Sequence, residues 1–399
     1  MNKKRLLKGA LAVATAAMFP LSQAMADSGV SISGWINEGV LYYDDGVGSD
    51  VVQLSDNGTT LGSRITFAGS TDLPAGLNAG FEVIVEPLSV HTPLIFSNQS
   101  NVGDTTGDAL GVLGSSVFFG GAWGKLTFGL QTMPTDNIAV LADPSLTLWD
   151  GISPVFRGNG FSIRGTTVPV VWGDFLNCLT AEGLQGAGGI GIDCNGIYRN
   201  GVRYDLPTFL PGVSIAVGYA NDEVYDVAGK WDGQLGRLKA LVHLGYAQNN
   251  NVNSSWEGNS AENFQVQGGL MDPVTGLFGS IAYQNEQADS AVAGSGDDTD
   301  AWWLKVGIKK AFNSLGDTSL AFDYGNYNDQ FGNLGVIGVT GSEVERWGVA
   351  IDQYFGSKLI IYGKYENLGL NIDGSAAAHA ALDGAKDLET FTLGLTYFF

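Results

Sequence analysis

Charge is scarce in this chain, and most of it has one sign. Only 15% of the 399 residues are charged, well under the roughly 25% typical of soluble domains. Lys and Arg together number 20 against 41 Asp and Glu, which gives a formal net charge of −21. Because neutralising phosphates requires a basic surface, this balance argues against nucleic acid as a partner. The acid surplus is expected to lie mainly in solvated loops.

Long apolar runs and catalytic motifs are also missing. Beyond the N-terminus, no segment approaches the roughly 20 apolar residues that a membrane helix needs. The chain has three histidines, His91, His243 and His379, and no G-x-S-x-G elbow, P-loop or zinc-protease motif. A hydrolase would need a paired His and Ser, and nothing in the sequence marks such a pair. The sequence therefore predicts that the protein is not an enzyme.

The N-terminus has the pattern of a secretory signal peptide over residues 1–26. An apolar stretch from Gly9 to Leu21 is too short to span a bilayer, and Ala24-Met25-Ala26 matches a cleavage site, so the mature chain is expected to be 27–399. The basic n-region consists of Lys3, Lys4, Arg5 and Lys8. Without these four residues the chain carries 16 basic and 41 acidic residues, a formal charge of −25.

The sequence is rich in glycine and aromatic residues arranged in alternating segments. Gly accounts for 58 residues and aromatics for 11%. The final segment alternates apolar and polar residues with the two-residue period of a strand that has one apolar face. Its apolar members are Phe391, Leu393, Leu395, Tyr397 and Phe399. An exported chain without a membrane helix is either a soluble secreted protein or a transmembrane barrel, and an apolar strand tipped with aromatics favours the barrel.

Sixteen alternating segments follow one another along the chain, separated by alternately short and long connections. The predicted strands are 29–43, 59–70, 77–86, 115–122, 124–131, 198–206, 211–221, 224–232, 238–248, 262–270, 275–286, 299–312, 317–327, 342–355, 358–367 and 388–399. The long connections are 44–58, 87–114, 132–197, 249–261, 287–298, 328–341 and 368–387. Turns at one rim and loops at the other predict an all-β fold, a transmembrane antiparallel barrel of 16 strands. A secreted two-sheet sandwich would not need its loops sorted in this way.

The alternation also predicts which side chains face the lumen. In 59–70, Arg64 has the opposite parity to Ile65 and Phe67. The same pattern sets Arg199 and Arg203 of 198–206, and Arg346 of 342–355, opposite the apolar residues of their strands. A basic residue at mid-membrane on the lipid face would cost about 2–4 kcal/mol, so these charges are expected inside. The alternation in 238–248 and 358–367 is too irregular to assign faces.

Several short motifs, taken in order, resemble the general porins of Gram-negative outer membranes. They are Ser33-Gly-Trp-Ile-Asn-Glu-Gly-Val-Leu-Tyr-Tyr-Asp-Asp-Gly46, Thr60-Leu-Gly-Ser-Arg-Ile-Thr-Phe67, Leu73-Pro-Ala-Gly-Leu-Asn-Ala-Gly-Phe-Glu82, Arg199-Asn-Gly-Val-Arg-Tyr-Asp-Leu-Pro207 and Tyr397-Phe-Phe399. The resemblance implies a homotrimer of 16-stranded barrels in the outer membrane, each with a water-filled pore narrowed by a loop. It places the subunit contact around the first and last strands, with Ile36, Val40, Leu393 and Leu395. The connection 132–197 departs from the family pattern, because it is unusually long and contains both cysteines.

We expect the long connection to fold into the lumen and narrow it, since a 16-stranded barrel is otherwise wide open. Its acids would then face a basic wall across the pore and create a transverse field. The candidate acids are Asp136, Asp143 and Asp150, supplemented by Asp174, Glu182 and Asp193, with Arg157 and Arg164 as the only basic residues. The candidate basic wall is Arg64, Arg199, Arg203 and Arg346, with Lys125 and Lys305 as additional members. Solvated salt bridges without a role in the pore are the alternative.

Cys178 and Cys194 enclose 15 glycine-rich residues. An even number of cysteines in an exported chain predicts a disulfide. Two free buried thiols are the alternative, and a zinc site is disfavoured because no His lies near either cysteine in sequence. Closing a loop of this size contributes about 3 kcal/mol in the chain-entropy model.

Two further groups of residues are candidate sites. The acidic pairs Asp44-Asp45 and Asp297-Asp298, with Asp300, could bind Ca²⁺, although solvated loop acids are the simpler interpretation. Aromatic pairs at strand ends, including Tyr42-Tyr43 and Trp302-Trp303, are expected to form interfacial girdles rather than a path for sugars.

Taken together, the sequence predicts a channel for passive diffusion of small hydrophilic solutes and ions, with weak cation preference. The alternatives are a substrate-selective channel, a barrel that acts as an adhesin or receptor, and an outer-membrane hydrolase.

Overall fold

The computed structural model describes residues 29–54, 62–87, 110–147, 160–178, 191–195, 198–250, 260–288 and 297–399. The predicted signal peptide and Asp150 lie outside these ranges. The strands are β1 (Val30–Asp44), β2 (Ser49–Leu54), β3 (Arg64–Leu73), β4 (Leu77–Pro87), β5 (Leu110–Gly121), β6 (Gly124–Thr132), β7 (Tyr198–Asp205), β8 (Val213–Ala220), β9 (Val224–Leu235), β10 (Leu238–Asn249), β11 (Ala261–Met271), β12 (Leu277–Ala288), β13 (Asp298–Asn313), β14 (Gly316–Asn328), β15 (Val339–Phe355), β16 (Leu359–Gly374) and β17 (Leu388–Phe398). The described helices are α1 (Ile138–Leu141) and α2 (Ala376–Leu382), and neither is long and apolar enough to cross a membrane.

The strands form one closed antiparallel ring of 16 positions. Each strand from β3 to β17 pairs with the next, and β17 pairs with β1. β2 and β3 share the position on the other side of β1: residues 39–44 of β1 pair with β2, and residues 30–35 pair with β3. The predicted 16-stranded barrel is therefore confirmed, and β2 is an additional short segment that the periodicity did not reveal. Closure leaves no unpaired edge around the ring.

Successive connections lie at opposite rims, as antiparallel pairing requires. The short turns are at one rim and the longer connections at the other. The turn rim includes Pro74–Gly76 and the two-residue connections 236–237 and 314–315. Gly236 has a φ of 63°, which places it in the left-handed region that a tight hairpin favours. The loop rim has one exception to this difference in length, because β8 and β9 are joined there by only Asn221–Glu223, in agreement with the predicted strand bounds 211–221 and 224–232.

Side chains alternate between the lumen and the outer surface as predicted. On β17, Phe391, Leu393 and Leu395 are 46–49% exposed, whereas Thr392 and Thr396 are fully buried. All four predicted lumen arginines point inward. The two strands left unassigned also place charge inside, with His243 on β10 and Lys364 on β16, each at most 5% exposed.

Aromatic side chains lie on the outer surface of β1 and of β8 to β17 near the loop rim, in a band that we call the upper girdle. Its members pack in cross-strand pairs such as Trp302 with Tyr324 and Trp347 with Tyr365, with ring centroids 5.3 Å apart in both. The full set is Tyr42, Tyr219, Tyr225, Tyr246, Phe264, Tyr283, Trp302, Tyr324, Trp347, Tyr365 and Phe391. The prediction that both members of Tyr42-Tyr43 and Trp302-Trp303 belong to girdles is wrong, because Tyr43 and Trp303 have the inward parity and are buried.

An apolar core, which the sequence did not predict, fills part of the lumen. Phe161, Trp172 and Phe175 of the connection between β6 and β7 are at most 1% exposed. They pack with Tyr43 and Tyr327 of the wall in one cluster. Burying each such side chain contributes about 1.5–3 kcal/mol. The long connection therefore has its own hydrophobic reason to stay inside the barrel.

Candidate functional site

The first part of the long connection is fixed along the wall from β9 to β13. Thr135 donates to Asp226 on β9 through both its backbone N–H and its hydroxyl, each at 2.8 Å. The backbone N–H of Ala142 donates to Gln267 on β11 at 2.8 Å. Asp143 then forms a fully buried ion pair with Lys305 on β13, at 2.5 Å. These contacts hold residues 133–147 against the inner wall.

The second described part of the connection packs over β14 to β17 and β1. Phe161 contacts Tyr43 edge-on, with ring centroids 5.1 Å apart. Arg164 pairs with Asp45 just after β1, at 2.8 Å. The loops at 329–338 and 375–387 fold inward onto the same segment: the backbone N–H of Asn177 donates to the carbonyl of Gln330, and that of Thr167 to Ala381. We call the inner surface from β10 through β17 to β1 the covered wall.

The predicted disulfide is confirmed, because Cys178 and Cys194 are bonded with Cα atoms 5.3 Å apart. Both residues are at most 1% exposed. Gln284 on β12 donates to the carbonyl of Gly191 at 3.1 Å, and Gln265 on β11 donates to that of Ile192 at 3.2 Å. The bridge and these glutamines fasten the end of the loop to the covered wall. Glu286 lies close to both sulfur atoms, but sulfurs joined in a disulfide are not thiolate ligands for a metal.

Arg346 lies inside the barrel but in the covered wall, apart from the other predicted arginines. It forms ion pairs with Asp323 on β14 and Glu366 on β16. Lys364 bridges the same two acids, at 3.2 and 2.9 Å. All four side chains are at most 1% exposed. Two cations and two anions thus neutralise one another away from solvent.

Arg64 and Arg203 line the part of the lumen from β3 to β9, which we call the open wall. Arg64 pairs with Glu86 at 2.9 Å and stacks over Trp35, 4.6 Å from its ring centroid. Arg203 pairs with Asp205 at 2.8 Å. The paired side chains here keep 10–16% exposure, and Lys125, the other partner of Asp205, keeps 33%. Solvent therefore reaches the charges of the open wall.

Arg199 also lies in the open wall, close to where the loop begins and ends. It lines a small cavity with Thr135, Cys194, Asn195 and Asp226. Arg199 therefore lies next to the loop attachment.

Asp136 is the predicted loop acid that meets the open wall. It lies within electrostatic reach of Lys230, Arg64 and Arg203. Burial raises the pKa of its carboxyl to about 6, against the opposing influence of Lys230, a hydrogen bond from Asn137 and the two arginines. Asp136 is thus partly protonated slightly below neutral pH.

Asp143 serves a different purpose. Burial alone would raise its pKa, but Lys305 and the hydrogen bonds from Ser145 outweigh burial and hold the pKa below its ordinary value. This carboxylate anchors the loop and does not face solvent.

Four charged residues of the open wall were not among the predicted site residues. Glu82, Glu86, Asp226 and Lys230 face the lumen from β4 and β9. The alternation in the predicted strands 77–86 and 224–232 already gives these four residues the inward parity, so the sequence could have identified them. The expected picture of loop acids opposite wall bases is therefore incomplete, because the wall carries acids of its own.

The acids considered as candidate Ca²⁺ ligands have protein partners in the described part of the chain. Asp45 accepts from the backbone N–H groups of Val47 and Gly48 and pairs with Arg164. Asp298 accepts from Asn285 at 2.9 Å, and Asp300 from Asn328 at 3.0 Å.

The family model for the Gram-negative porin matches residues 10–373. Outer membrane porin protein 32 of Delftia acidovorans is 28% identical over 213 residues, which are 53% of this chain and 49% of the relative. The match thus spans about half the length of that relative.

Two solved structures share the architecture. The anion-selective porin from Comamonas acidovorans superposes with a TM-score of 0.60 at 18% identity, covering 93% of this chain and 99% of that one. The trimer form of OmpT from Vibrio cholerae gives a TM-score of 0.53 at 12% identity, covering 93% and 99%. At these identities the likeness concerns the fold alone.

Proposed function

The chain belongs to the Gram-negative porin family, and from this premise we propose that its lumen passes small hydrophilic solutes and ions by passive diffusion. As a porin, the protein is an outer-membrane channel and not an enzyme.

The path we propose follows the open wall. The observation that carries it is the difference in solvent contact between the two sets of lumen charges. Side chains of the ion pairs on β3–β7 keep 10–33% exposure, whereas those around Arg346 keep at most 1%. Solutes that need hydration follow the surface that water reaches. Asp136, Arg64, Arg203 and Lys230 are the proposed constriction residues, with Arg199 beside the loop attachment.

We propose weak cation selectivity at neutral pH. The open wall alternates acids and bases, so its own charges nearly cancel. The net charge of −25 over residues 27–399 then sets the sign at the pore mouth. The neighbour from Comamonas acidovorans is an anion-selective porin, so the sign of the ion selectivity is the part of this proposal that most needs a direct measurement.

The proposed function also includes an oligomeric state and a route of export. We propose a homotrimer in the outer membrane, consistent with the trimer form of the Vibrio cholerae neighbour. Residues 1–26 serve as the signal peptide, and residues 27–399 form the barrel with its constriction loop.

Planar-bilayer recording of the purified full-length protein tests this function. Large open-channel steps and a small positive K⁺ over Cl⁻ preference in a salt gradient are expected. Absence of steps from folded protein would contradict the channel and favour a binding role. An anion-selective potential would contradict the sign alone.

A substrate-selective channel is the second candidate, because the lumen core restricts the path to a charged strip that could recognise one solute. Titrating sugars and small carboxylates into the same recording distinguishes the two. Saturable block by one compound would favour selectivity over free diffusion.

A further inference from the structure

The disulfide at the end of the long loop lies beside a buried acid. A carboxylate oxygen of Glu286 on β12 and the sulfur atoms of Cys178 and Cys194 all lie within 4.8 Å of one another. The three residues are at most 1% exposed. In the described part of the chain, this is the one group of three His, Cys, Asp or Glu side chains whose ligand atoms come so close together.

Only the fold assembles this group. The sequence disfavours a zinc site because no histidine lies near either cysteine, and it gives no sign that a strand far downstream supplies a third donor. Cys178 and Cys194 belong to the loop, whereas Glu286 belongs to the wall. A metal ion held by all three side chains would therefore join the loop to the barrel.

Because the bridged sulfurs are not metal ligands, the site belongs to the reduced chain. A dithiol reductant converts the bridge into two thiols and is itself oxidised to a disulfide. A divalent cation that binds the two sulfurs displaces their protons, since the thiolate is the ligand. Two thiolates and one carboxylate suit Zn²⁺, whereas Ca²⁺ and Mg²⁺ require oxygen ligands.

We propose that the reduced protein binds one Zn²⁺ through Cys178, Cys194 and Glu286. The metal then fastens the loop to β12 at the place where the oxidised protein has its disulfide. This site goes beyond the proposed channel function and does not depend on which solutes pass.

Gln284, two residues from Glu286 on β12, supports a thiolate at Cys194. Its side-chain N–H donates to Sγ of Cys194 at 2.9 Å, and the backbone N–H of Cys194 donates to its Oε1 at 3.3 Å. A thiolate accepts such a hydrogen bond more strongly than a disulfide sulfur does, because it is ionised. Neighbours of this kind orient metal ligands, and their removal typically lowers metal affinity by about 10–100-fold.

The site also has space for a fourth ligand. Cys194 lines a cavity of about 20 Å³ together with Arg199 and Asn195, which is room for about one water molecule. A water there completes the tetrahedral shell that Zn²⁺ prefers. Two thiolates, one carboxylate and Zn²⁺ carry a single net negative charge, which the neighbouring Arg199 offsets.

Cadmium titration of the reduced protein tests the site. The purified protein is folded in detergent with a dithiol, which is then removed by gel filtration without oxygen. Alkylation of a denatured sample must count both cysteines as free thiols, and heat-dependent migration on a gel must show a closed barrel. We expect a thiolate-to-cadmium charge-transfer absorption that saturates at one Cd²⁺ per chain. The oxidised protein is the control and should show no such absorption.

Substitutions separate the carboxylate ligand from a site made by the thiols alone. Glu286→Gln replaces the carboxylate by a neutral amide, so the dissociation constant for Cd²⁺ should rise about tenfold or more. The matched control is Glu262→Gln on β11, an exposed acid next to Asn263, which pairs with Glu286. This control should bind Cd²⁺ as the wild type does. Cys178→Ser leaves one thiolate and should abolish the saturable absorption.

X-ray absorption of the zinc-loaded, reduced wild type tests the site without any variant. Two sulfurs at about 2.3 Å and two oxygens at about 2.0–2.2 Å are expected around the metal. A first shell that lacks either sulfur would overturn the proposal. So would the absence of a cadmium band from folded protein with both thiols free, or equal affinities for Glu286→Gln and Glu262→Gln.

Discussion

The two walls of the lumen carry similar residues and use them differently. Arg346 in the covered wall and Arg64 in the open wall each lie on a strand, point inward and pair with an acid on a neighbouring strand. Arg346 is enclosed with Lys364 and two acids beneath the loop core, whereas Arg64 keeps contact with solvent. A charge inside a barrel is therefore not by itself a pore charge. What covers it decides whether it acts on solutes or holds the structure together.

Arg346→Leu tests this distinction with the largest expected effect. The substitution leaves Asp323 and Glu366 facing only Lys364, so one negative charge becomes uncompensated in a site without solvent. Removing one partner of a buried ion pair costs about 3–5 kcal/mol. The free energy of unfolding, measured by urea titration of protein in lipid vesicles, should fall by about that amount.

The matched control is Arg64→Leu. Water that reaches the open wall can solvate Glu86 once its partner is lost, so we expect a clearly smaller loss of stability. Equal losses for the two variants would mean that the open wall is as enclosed as the covered one.

Removing the disulfide tests how strongly the long loop is attached to the covered wall. Breaking a bridge between residues 16 apart removes about 3 kcal/mol at most in the chain-entropy model. Because Trp172, Phe175 and the ion pair of Lys305 hold the same loop, the double variant Cys178→Ser, Cys194→Ser should keep the barrel and show noisier channel currents.

Thiol labelling provides the direct check on this bridge. Unreduced native protein should take up no alkylating reagent, and denatured, reduced protein should take up two per chain. Trp172→Ala with the bridge intact is the companion variant. If the cysteine variant loses the closed ring, as judged by heat-dependent migration on gels, then the bridge supports the barrel and not only the loop.

The sequence predicted the wall of the barrel well because a two-residue period translates directly into two faces. The inward positions of Arg64, Arg203 and Arg346 followed from it without any knowledge of strand pairing. The ion-pair partners of Arg346 could not be predicted from this period. Asp323 and Glu366 lie about 20 residues from Arg346 in the chain, and only the registers of β14, β15 and β16 bring them together.

The lumen core escaped prediction for another reason. Phe161, Trp172 and Phe175 occur in an irregular segment, where no period indicates which way a side chain points. The incorrect assignment of Tyr43 to the girdle is a different case, since the two-residue period already requires adjacent residues on one strand to face opposite sides of the wall. Local pattern thus determines direction, and only tertiary structure determines what lies there.

Arg64→Gln tests the open wall by ion selectivity. Removing this positive charge changes the energies of cation and anion in the pore in opposite directions, so the K⁺ over Cl⁻ permeability ratio should rise about twofold in 0.1 M salt. Arg237→Gln, at the exposed turn rim where Arg237 pairs with Asp272, is the matched control and should change the ratio less. The reversal potential in a salt gradient measures both, and a larger effect at the rim would contradict a path along the open wall.

The smallest predicted effect concerns pH and Asp136. Its pKa is raised to about 6, so the carboxylate is ionised above that pH and becomes neutral as the pH falls through it. Losing one negative charge beside Lys230, Arg64 and Arg203 makes the pore more favourable to anions, and the K⁺ over Cl⁻ ratio should decrease by about twofold or less between pH 7.5 and pH 5. Asp136→Asn should have the low-pH ratio already at pH 7.5 and a nearly flat profile below it.

Because Asp143 is held ionised by Lys305 and lies beneath the loop, Asp143→Asn should alter stability and leave the pH profile in place. If the Asp136→Asn channel still titrates near pH 6 with wild-type amplitude, another acid of the open wall controls the ions, and Asp226, hydrogen-bonded to Thr135 at the start of the loop, becomes the residue to substitute next.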